Sequence, residues 1–465
     1  MESKTRDRVS GGFSLPGYVL TVLGLLEASG NEAYVAGGAV RDMLLDLTPH
    51  DFDIASSSSP EITAKVLSDA GIRYVDNASV HGTVTAVMPE GNIEITTFRV
   101  DGKYTDMRRP DSVLFAGSIE EDVRRRDFTV NSLYMDKEGN VKDITGGIAD
   151  LEKGLIRTVG DPEERFGEDA LRILRAMRFA SRFGFAIEDK TFEAMEKCAF
   201  ELKNISAERI ASELTGIVCG MYAPAVIRRC WRILAVIIPE IGVCHGFDQK
   251  SRYHNMDVLE HTLAVLEGIP AEKKDGAMPT KDPVLAMAAL LHDLGKPECF
   301  RLGADGIGHM KGHPEAGRKI AERVLTELRY PQRFTRDVCT LVALHDVFTP
   351  RERPAVHKLL CICGPDLYKK LAVLQESDIL AHTEAGRARL AKLEYMKETA
   401  DELIKSGAVY AVKDLEISGD DIIALGCPKG PEVGKILDIL FEKYVSGEIV
   451  NNREILLKTA KDIIF

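Results

Sequence analysis

The stretch YVAGGAVRDMLLDLTPHDFDIA, residues 34–55, decides the fold of the N-terminal part of the chain. It begins with a short apolar run, passes through a glycine pair into an amphipathic segment, and ends with Asp51 and Asp53 on either side of Phe52. Acids at positions i and i+2, next to Phe52 and Ile54, are typical of a β-strand, because its period of two sends the acids to one face and the apolar residues to the other. The stretch therefore predicts a strand that presents two carboxylates together.

These two acids indicate a cation site. Carboxylates on one face repel each other, and Mg²⁺ bound by one or two carboxylates plus substrate phosphates suits such a pair. Upstream, Gly37 and Gly38 allow the backbone to approach a ligand, the N–H groups at the start of the next helix favour an anion, and Arg41 is expected near bound phosphates. Taken singly, the glycines fit a tight turn and the acids fit a solvated loop. Within one short stretch they favour a functional site.

The segment GGAVRDMLLDLTPHDFDIA resembles the nucleotidyltransferase signature of the polymerase-beta superfamily, in the form used by bacterial-type (class II) CCA-adding tRNA nucleotidyltransferases and their poly(A) polymerase relatives. The resemblance implies that Asp51 and Asp53 hold two Mg²⁺ ions. One ion would lower the pKa of the terminal ribose hydroxyl and the other would hold the triphosphate. Gly37, Gly38 and Arg41 would then steady the phosphates.

A third acid lies in a predicted hairpin downstream. Residues 83–88 and 92–100 alternate between apolar and polar types across a short turn, which predicts two antiparallel strands. Glu94 falls on the polar face of the second strand and is a candidate third carboxylate beside Asp51 and Asp53. A solvent-facing strand glutamate explains the same pattern nearly as well.

Residues 101–131 divide into a polar half and a basic half. The polar half, Asp101 to Pro110, has no clean period and predicts a mobile loop, whereas the basic half ends in RRDFTVN. The passage resembles the flexible loop and the RRDFTxN motif of CCA-adding enzymes. The resemblance implies that Arg126 and Asp127 contact the ribose and phosphates of the nucleotide, and that the loop moves when addition changes from C to A. Since relatives limited to partial tail synthesis tend to lack or alter this loop, its presence favours full CCA addition.

The segment EDALRILRAMRFASRFGF, which starts at Glu168, predicts most of one helix over residues 162–185. The arginines on its broad polar face are Arg172, Arg175 and Arg178. Salt bridging along the helix is the usual explanation for such a face, but the segment has few acids to balance these arginines. It resembles the family's EDxxR motif, the amino-acid template that reads the incoming base, with Glu168, Asp169 and Arg172 in the matching positions. All three arginines are candidates for nucleotide binding.

A second set of candidate ligands occurs between residues 246 and 390, in apolar helical contexts. Its members are His261, His292, Asp293, His313, His345 and Asp378. A lone histidine in such a context is more often an interior residue, but a set of this size with a His-Asp pair suits Mn, Fe, Ni, Zn or Mg. The order resembles an HD phosphohydrolase domain, which implies one metal on His261, His292, Asp293 and Asp378 and leaves the other two histidines available for a second. Many such domains are weak or structural, so hydrolysis stays open.

Composition narrows the class of protein. The 465 residues, 45% of them hydrophobic, are enough for about two to four domains. The formal charge of −12 argues against a purely structural RNA-binding module, and requires that basic residues concentrate locally, as they do at 108–109, 124–126 and 172–182. Scattered cysteines without a CxxC pair, and the lack of a membrane-length apolar run, predict a cytoplasmic protein with no membrane partner.

Together the patterns predict an α+β nucleotidyltransferase (polymerase-beta-like) head followed by an all-α neck, body, HD domain and tail. The expected boundaries are 1–140 for the catalytic head, 141–245 for the neck and body, 246–390 for the HD domain and 391–465 for a tRNA-binding tail. The expected activity is template-independent addition of C, C and A to the 3′ end of tRNA from CTP and ATP. The alternatives are a poly(A) polymerase of the same family and an HD-type phosphohydrolase with a non-catalytic head. The sequence specifies neither the HD metal nor the oligomeric state.

Overall fold

A computed structural model describes residues 13–76, 82–101 and 113–465. Most of the loop predicted from Asp101 to Pro110 lies outside these residues. The chain divides into two compact units. The first comprises the chain up to Val243 together with Pro270–Pro283 and Glu327–Tyr330, and the second comprises the remainder. The four-part division predicted from the sequence stays a prediction.

The first unit is built on a seven-stranded mixed sheet. The N-terminal strands are β1 (Ala33–Ala36), β2 (Phe52–Ser56), β3 (Tyr74–Asp76), β4 (Thr83–Val87), β5 (Asn92–Thr97), β6 (Arg99–Asp101), β7 (Val113–Phe115), β8 (Leu133–Met135) and β9 (Val141–Asp143). The sheet order is β3-β4-β5-β2-β1-β8-β9, while β6 and β7 form a separate antiparallel pair. Strands β4 and β5 are antiparallel, which confirms the predicted hairpin. Strand β2 lies between β5, to which it is parallel, and β1, to which it is antiparallel.

Helices surround this sheet and continue beyond it. They are α1 (Gly17–Ala28), α2 (Gly38–Leu44), α3 (Pro60–Asp69), α4 (Ile119–Val123), α5 (Gly147–Lys153), α6 (Pro162–Glu168), α7 (Leu171–Phe183), α8 (Asp189–Cys198), α9 (Ala207–Cys219), α10 (Ala223–Leu234) and α11 (Pro239–Cys244). A short parallel pair, β10 (Leu155–Ile156) and β11 (Ala186–Ile187), lies among them. The predicted cap of α3 is confirmed, because the Ser59 side chain accepts a hydrogen bond from the Ile62 N–H and Pro60 occupies the first turn.

The single helix predicted over 162–185 is wrong, because the structure has α6 and α7 with a break at Asp169. Its backbone is extended (φ −149°, ψ 101°), and its Oδ1 accepts a hydrogen bond from the Leu171 N–H at 3.0 Å. An aspartate that bonds to a nearby backbone N–H offers an alternative to helical continuation, which helix propensities summed along the segment do not reveal. The end of α7 was predicted correctly, since Gly184 takes a left-handed conformation there (φ 73°).

Two later segments of the chain belong to the first unit. Residues 270–283 form the hairpin β12 (Ala271–Glu272) and β13 (Thr280–Lys281). The Gly276 carbonyl in this hairpin accepts a hydrogen bond from the Thr48 N–H at 2.7 Å. Within 327–330, the Tyr330 hydroxyl donates to the Ala211 carbonyl at 2.9 Å.

The second unit is almost entirely helical. Its helices are α12 (Val258–Gly268), α13 (Pro283–Leu291), α14 (Lys296–Cys299), α15 (His313–Glu327), α16 (Gln332–Leu344), α17 (Arg353–Ala381), α18 (Glu384–Arg387), α19 (Leu390–Lys405), α20 (Gly419–Ala424), α21 (Pro431–Val445) and α22 (Arg453–Ile464). One small hairpin, β14 (Arg301–Leu302) and β15 (Gly308–His309), interrupts them. None of the helices in the described part of the chain has the length and apolar composition needed to span a bilayer. The predicted fold class, an α+β head followed by a helical remainder, is confirmed.

Candidate functional site

Three carboxylates lie at the start of β2 and on the adjacent strand β5. Asp53 on β2 and Glu94 on β5 are register partners, and Asp51 lies just before β2. All three residues are exposed, whereas Phe52 and Ile54 are buried. The alternation predicted for β2 is therefore present, and the structure places Glu94 beside the two aspartates.

The electrostatics of this group favour a cation. Loss of hydration, followed by the charges of Glu94 and Asp51, raises the pKa of Asp53 to about 6, against the opposite effect of Arg126. Besides the loss of hydration, the two neighbouring carboxylates thus act against ionisation of Asp53. A divalent ion that prefers oxygen ligands would balance this charge, so the donor set fits such an ion.

The glycine turn lies beside Arg126. Gly37 has a left-handed backbone (φ 74°), and a Cβ at this position would lie 3.3 Å from Arg126 Nη1 and 3.5 Å from the Asn131 carbonyl oxygen. Glycine is therefore required both for conformation and for space. Two other nitrogens of Arg126 are bound within the protein, since Nη2 lies 3.1 Å from Asp122 Oδ2 and Nε donates to the Tyr134 hydroxyl at 2.7 Å. This arrangement presents one guanidinium nitrogen at the turn.

Arg41, which was expected near the phosphates, is turned inward in this structure, so its contact with a nucleotide stays a prediction. Gly38 opens α2 as predicted, but Arg41 on that helix is only 4% exposed. Its Nε and Nη2 donate to Asp42 Oδ1 at 2.8 and 2.6 Å, and its Nη1 donates to Asn131 Oδ1 at 2.5 Å. The guanidinium also lies 5.1 and 4.8 Å from the ring centroids of Phe179 and Phe183. Because these partners draw it inward, Arg41 braces the glycine turn from behind.

Asp127, a predicted nucleotide contact, is bound to its own protein in this conformation. Its Oδ2 accepts from Arg175 Nε at 2.9 Å and lies 2.8 Å from Arg175 Nη2, and its Oδ1 accepts from Asn131 Nδ2 at 3.2 Å. Burial acts to raise its pKa, but Arg175 and Arg172 together hold the pKa below its usual value. Asn131 thus links Asp127 to Arg41.

The arginine face of α7 is balanced by acids, which corrects the interpretation that few acids were available. Each of four arginines has a carboxylate partner, and three of the four partners come from elements distant in sequence. The pairs are Arg172–Glu168 (2.5 Å), Arg175–Asp127 (2.8 Å), Arg178–Glu213 (2.6 Å) and Arg182–Asp42 (3.7 Å). The face is therefore an ion-pair network that joins α7 to α2, α9 and the RRDFTVN segment.

The two residues expected to read the base lie one turn apart but are not paired with each other. Asp169 Oδ2 accepts from Arg209 Nη2 at 2.5 Å, whereas Arg172 donates to Glu168 and to two backbone carbonyls. Arg209 lies 40 residues from Asp169, and no pattern in the sequence singled it out.

In the second unit the predicted ligands come together in two buried groups, which share one aspartate. The first group is His261, His292, Asp293 and Asp378, and the second is Asp293, His313 and His345, with one ligand atom per residue within 4.8 Å of the others. Burial lowers the pKa of His261 and of His313 to about 4. Both rings are therefore neutral at pH 7, which is the form that binds a metal.

The orientation of the rings also suits a metal. The Nδ1 atoms of His292, His313 and His345 lie 2.7 to 2.9 Å from backbone carbonyls, which favours a proton on Nδ1 and directs Nε2 at the cluster. Burial acts to lower the pKa of His345, but its hydrogen bond to Asp293 and the charge of that carboxylate raise the pKa above its usual value. The Nε2 atoms of His313 and His345 are only 3.2 Å apart. His292 Nε2 is buried and has no hydrogen bond of good geometry to any described residue. Ring nitrogens that converge in this way beside a carboxylate can bind one metal ion together.

Three further residues line this site and were missed by the sequence reasoning. Lys296 Nζ lies 2.6 Å from Asp293 Oδ2 and donates to Gln249 at 3.0 Å. The rings of His254 and His382 lie 4.3 Å apart between centroids, and both line the same cavity of about 470 Å³. Lys296 could have been found from its spacing, because it follows Asp293 by three residues in LLHDLGKP.

Comparison with known proteins relates the chain to families of nucleotidyltransferases. Three family models match the chain: the poly A polymerase head domain (residues 33–157), the probable RNA and SrmB-binding site of polymerase A (184–243) and tRNA nucleotidyltransferase domain 2 (315–460). Among solved structures, the Bacillus stearothermophilus CCA-adding enzyme in complex with CTP is 26% identical with a TM-score of 0.70, and covers 96% of each chain. The Thermotoga maritima CCA-adding enzyme complexed with tRNA has a TM-score of 0.58 at 18% identity over 99% of this chain and 98% of that one, which supports the fold.

Curated relatives are similar along nearly the whole chain. The CCA-adding enzyme of Leuconostoc mesenteroides is 31% identical over 445 residues, which is 95% of each protein. The CCA-adding enzyme of Streptococcus agalactiae is 32% identical over 451 residues, 96% of each. That of Latilactobacillus sakei is 33% identical over 95% of this chain and 97% of its own. Identity at this level and over this length shows that the chain belongs to the family of CCA-adding tRNA nucleotidyltransferases.

Proposed function

We propose that this chain adds C, C and A to the 3′ end of tRNA, taking the nucleotides from CTP and ATP without a nucleic-acid template. The observation that carries the proposal is the cluster of Asp51, Asp53 and Glu94 in the head of a chain that resembles CCA-adding enzymes over 95% of its length. Solved relatives in complex with CTP and with tRNA support both classes of partner.

Mg²⁺ is the cofactor proposed for the head. Asp51, Asp53 and Glu94 would hold it, because they offer only oxygen ligands and because the charges of Glu94 and Asp51, together with loss of hydration, raise the pKa of Asp53. When bound, the metal supplies activation of the terminal tRNA hydroxyl and charge stabilisation at the α-phosphate.

The chain's own residues bind and orient the reactants. The backbone of Gly37 and Gly38 and Arg126 Nη1 lie together, where they can contact the triphosphate. Asp127 and Arg175 support this group through Asn131. At the base, an ionised Asp169 can only accept and Arg172 can only donate. This pair matches the amine and ring nitrogen of C and A, and it mismatches the carbonyl and N–H of U and G. Residues 391–465 are proposed to bind tRNA.

The test is incubation of the protein with tRNA that lacks its CCA end, with each nucleoside triphosphate singly and in pairs, followed by sequencing. CTP alone should add two C residues, and CTP with ATP should complete the end with one A. Repeated A addition to tRNA or to an unstructured RNA would instead support a poly(A) polymerase. Asp53→Asn should be inactive, since it removes one of the three acids.

We propose a second function for the second unit, a divalent-metal phosphohydrolase. The observation that favours it is the group of Asp293, His313 and His345, which shares Asp293 with the first group of ligands. Mixed imidazole and carboxylate ligands suit Mn, Fe, Ni or Zn. When bound, such a metal supplies an activated water for attack on a phosphate ester. Metal content should fall in His292→Ala, and metal-dependent hydrolysis of p-nitrophenyl phosphate or a cyclic nucleotide should be lost with it. Wild-type protein that takes up no metal would contradict the assignment.

A further inference from the structure

Arg209 on α9 reaches across to Asp169, the acid at the break between α6 and α7. The Arg209 Nη2 lies 2.5 Å from Asp169 Oδ2, and the two side chains are 25% and 14% exposed. The other oxygen, Asp169 Oδ1, accepts from the Leu171 N–H at 3.0 Å. One oxygen is thus fixed by a backbone N–H and the other by a guanidinium, so both oxygens together fix the orientation of the carboxylate plane.

From this arrangement we infer that Arg209 is a specificity-determining positioning residue, which holds the Asp169 carboxylate in the direction needed to accept the amine of the incoming base. The inference rests on the base-reading role proposed above for Asp169. A carboxylate has about four acceptor positions, so two internal hydrogen bonds fix its direction and still leave positions for a ligand.

Arg209 also keeps the two halves of the base reader apart. Arg172 lies one turn from Asp169, and its guanidinium is held by Glu168 at 2.5 Å. In the absence of Arg209, the Asp169 carboxylate can rotate towards the Arg172 guanidinium, which is a cation within one helical turn of it. A salt bridge between Asp169 and Arg172 would occupy the acceptor and the donor that the base requires.

The second terminal nitrogen of the Arg209 guanidinium, Nη1, indicates that a contribution to folding stability does not by itself explain the position of this side chain. Arg209 Nη1 is buried without a hydrogen-bond partner among the described residues. Leaving a buried donor unpaired is unfavourable, and such groups in native structures call for an explanation other than packing. Orientation of Asp169 supplies that explanation.

The experiment compares Arg209→Gln and Arg209→Lys with wild type, using kcat/KM for CTP and for UTP on tRNA that lacks its CCA end. In Arg209→Gln the ratio of CTP to UTP use should fall about tenfold or more, because the acceptor is no longer directed. Arg209→Lys should be intermediate, since lysine keeps the charge but lacks the planar fork. The ratio is insensitive to partial unfolding, because unfolded protein uses neither nucleotide. A matched control is Arg329→Lys, an exposed arginine that pairs with Glu208 at 2.6 Å, which should keep the wild-type ratio.

Asp169→Asn separates this inference from the proposed function. If Asp169→Asn keeps the wild-type ratio, Asp169 does not read the base and both statements are wrong. If Asp169→Asn lowers the ratio of CTP to UTP use while both Arg209 variants keep the wild-type ratio, only the role of Arg209 is wrong. In the double variant Asp169→Asn/Arg209→Gln, the ratio of CTP to UTP use should fall no further than in Asp169→Asn alone, since both changes act on one interaction. Additive losses, or equal loss of CTP and UTP use in the Arg209 variants, would mean that Arg209 is merely structural.

Discussion

Asp53 on β2 and Glu94 on β5 lie directly opposite each other in a parallel strand pair. Like charges at such positions destabilise a sheet, because neither side chain can move far from the other. Arg126 offsets only part of this repulsion at Asp53, whose pKa rises from its usual 3.8 to about 6. The pair therefore lowers stability at neutral pH in the protein without metal.

We expect Asp53→Asn to abolish nucleotide addition without lowering the melting temperature at pH 7 in EDTA. Because the pKa of Asp53 is raised, its folded form binds the proton more tightly, so its contribution to stability is greatest below pH 3.8 and is lost as the pH rises to about 6. The melting temperature of wild type relative to the variant should accordingly fall over that range. Adding Mg²⁺ should stabilise wild type more than the variant. Near wild-type nucleotide addition by Asp53→Asn would refute the assignment.

Replacement of Arg172 should weaken the selection of C and A over U and G. Arg172→Ala is expected to slow use of both CTP and ATP and to reduce their advantage over UTP and GTP, since each mismatched polar group in a closed site costs roughly 1 to 3 kcal/mol. Lysine should rescue poorly, because Arg172 uses two nitrogens of a planar fork, one on Glu168 and one on a backbone carbonyl. Single-turnover kinetics with all four nucleotides measures this. An unchanged ratio of CTP to UTP use would place selection elsewhere.

Asn131 joins two charged side chains that are largely shielded from solvent, and its removal should lower the stability of the fold. The amide accepts from Arg41 at 2.5 Å and donates to Asp127 at 3.2 Å, so Asn131→Ala leaves both without that partner. Denaturant titration should show a loss of about 1 to 3 kcal/mol, with slower nucleotide addition because Arg41 braces the glycine turn. The control is Asn140→Ala, which removes a similar 3.0 Å bond to Asp136 at an exposed position and should change stability by about 0.5 kcal/mol or less. Equal effects of the two variants would contradict the bracing role.

Asp293 and Lys296 form a buried pair in the second unit, with 1% and 7% of their side chains exposed. In EDTA, Asp293→Ala should destabilise the protein by roughly 3 to 5 kcal/mol, because it leaves a buried ammonium group without its carboxylate. Lys296→Met added to the same chain should restore much of that loss. If it does not, the loss of stability in Asp293→Ala arises from the neighbouring histidines and not from Lys296.

These variants also test whether the units act independently. Below their melting temperatures, both should retain nucleotide addition, since the ligands of the head and those of the second unit belong to separate compact units. Loss of CCA addition in folded protein would show that the two sites are coupled.

The sequence predicted the parts of the site that depend on local pattern. A period of two in each strand directed Asp51, Asp53 and Glu94 to one face, and the resemblance to an HD domain grouped His261, His292, Asp293 and Asp378, which lie together in the structure. Spacing within a strand determines which way the acids point, whereas the histidine group was recognised from the order of a known motif.

What the sequence did not predict depends on contacts between distant segments. Arg41 is buried because Phe179 and Phe183 arrive from α7, and Arg178 is neutralised by Glu213 from α9. The partner of Asp169, likewise, comes from another helix. Patterns within one segment carry no information about such partners, so the arginine face could not be distinguished from an unbalanced basic patch.

The return of residues 270–283 and 327–330 to the first unit has an evolutionary consequence. A gene shortened after codon 243 would encode a protein in which the Thr48 N–H lacks the Gly276 carbonyl and the Ala211 carbonyl lacks the Tyr330 hydroxyl. A single recombination event cannot therefore detach the catalytic half intact, because its sequence is interleaved with that of the other half.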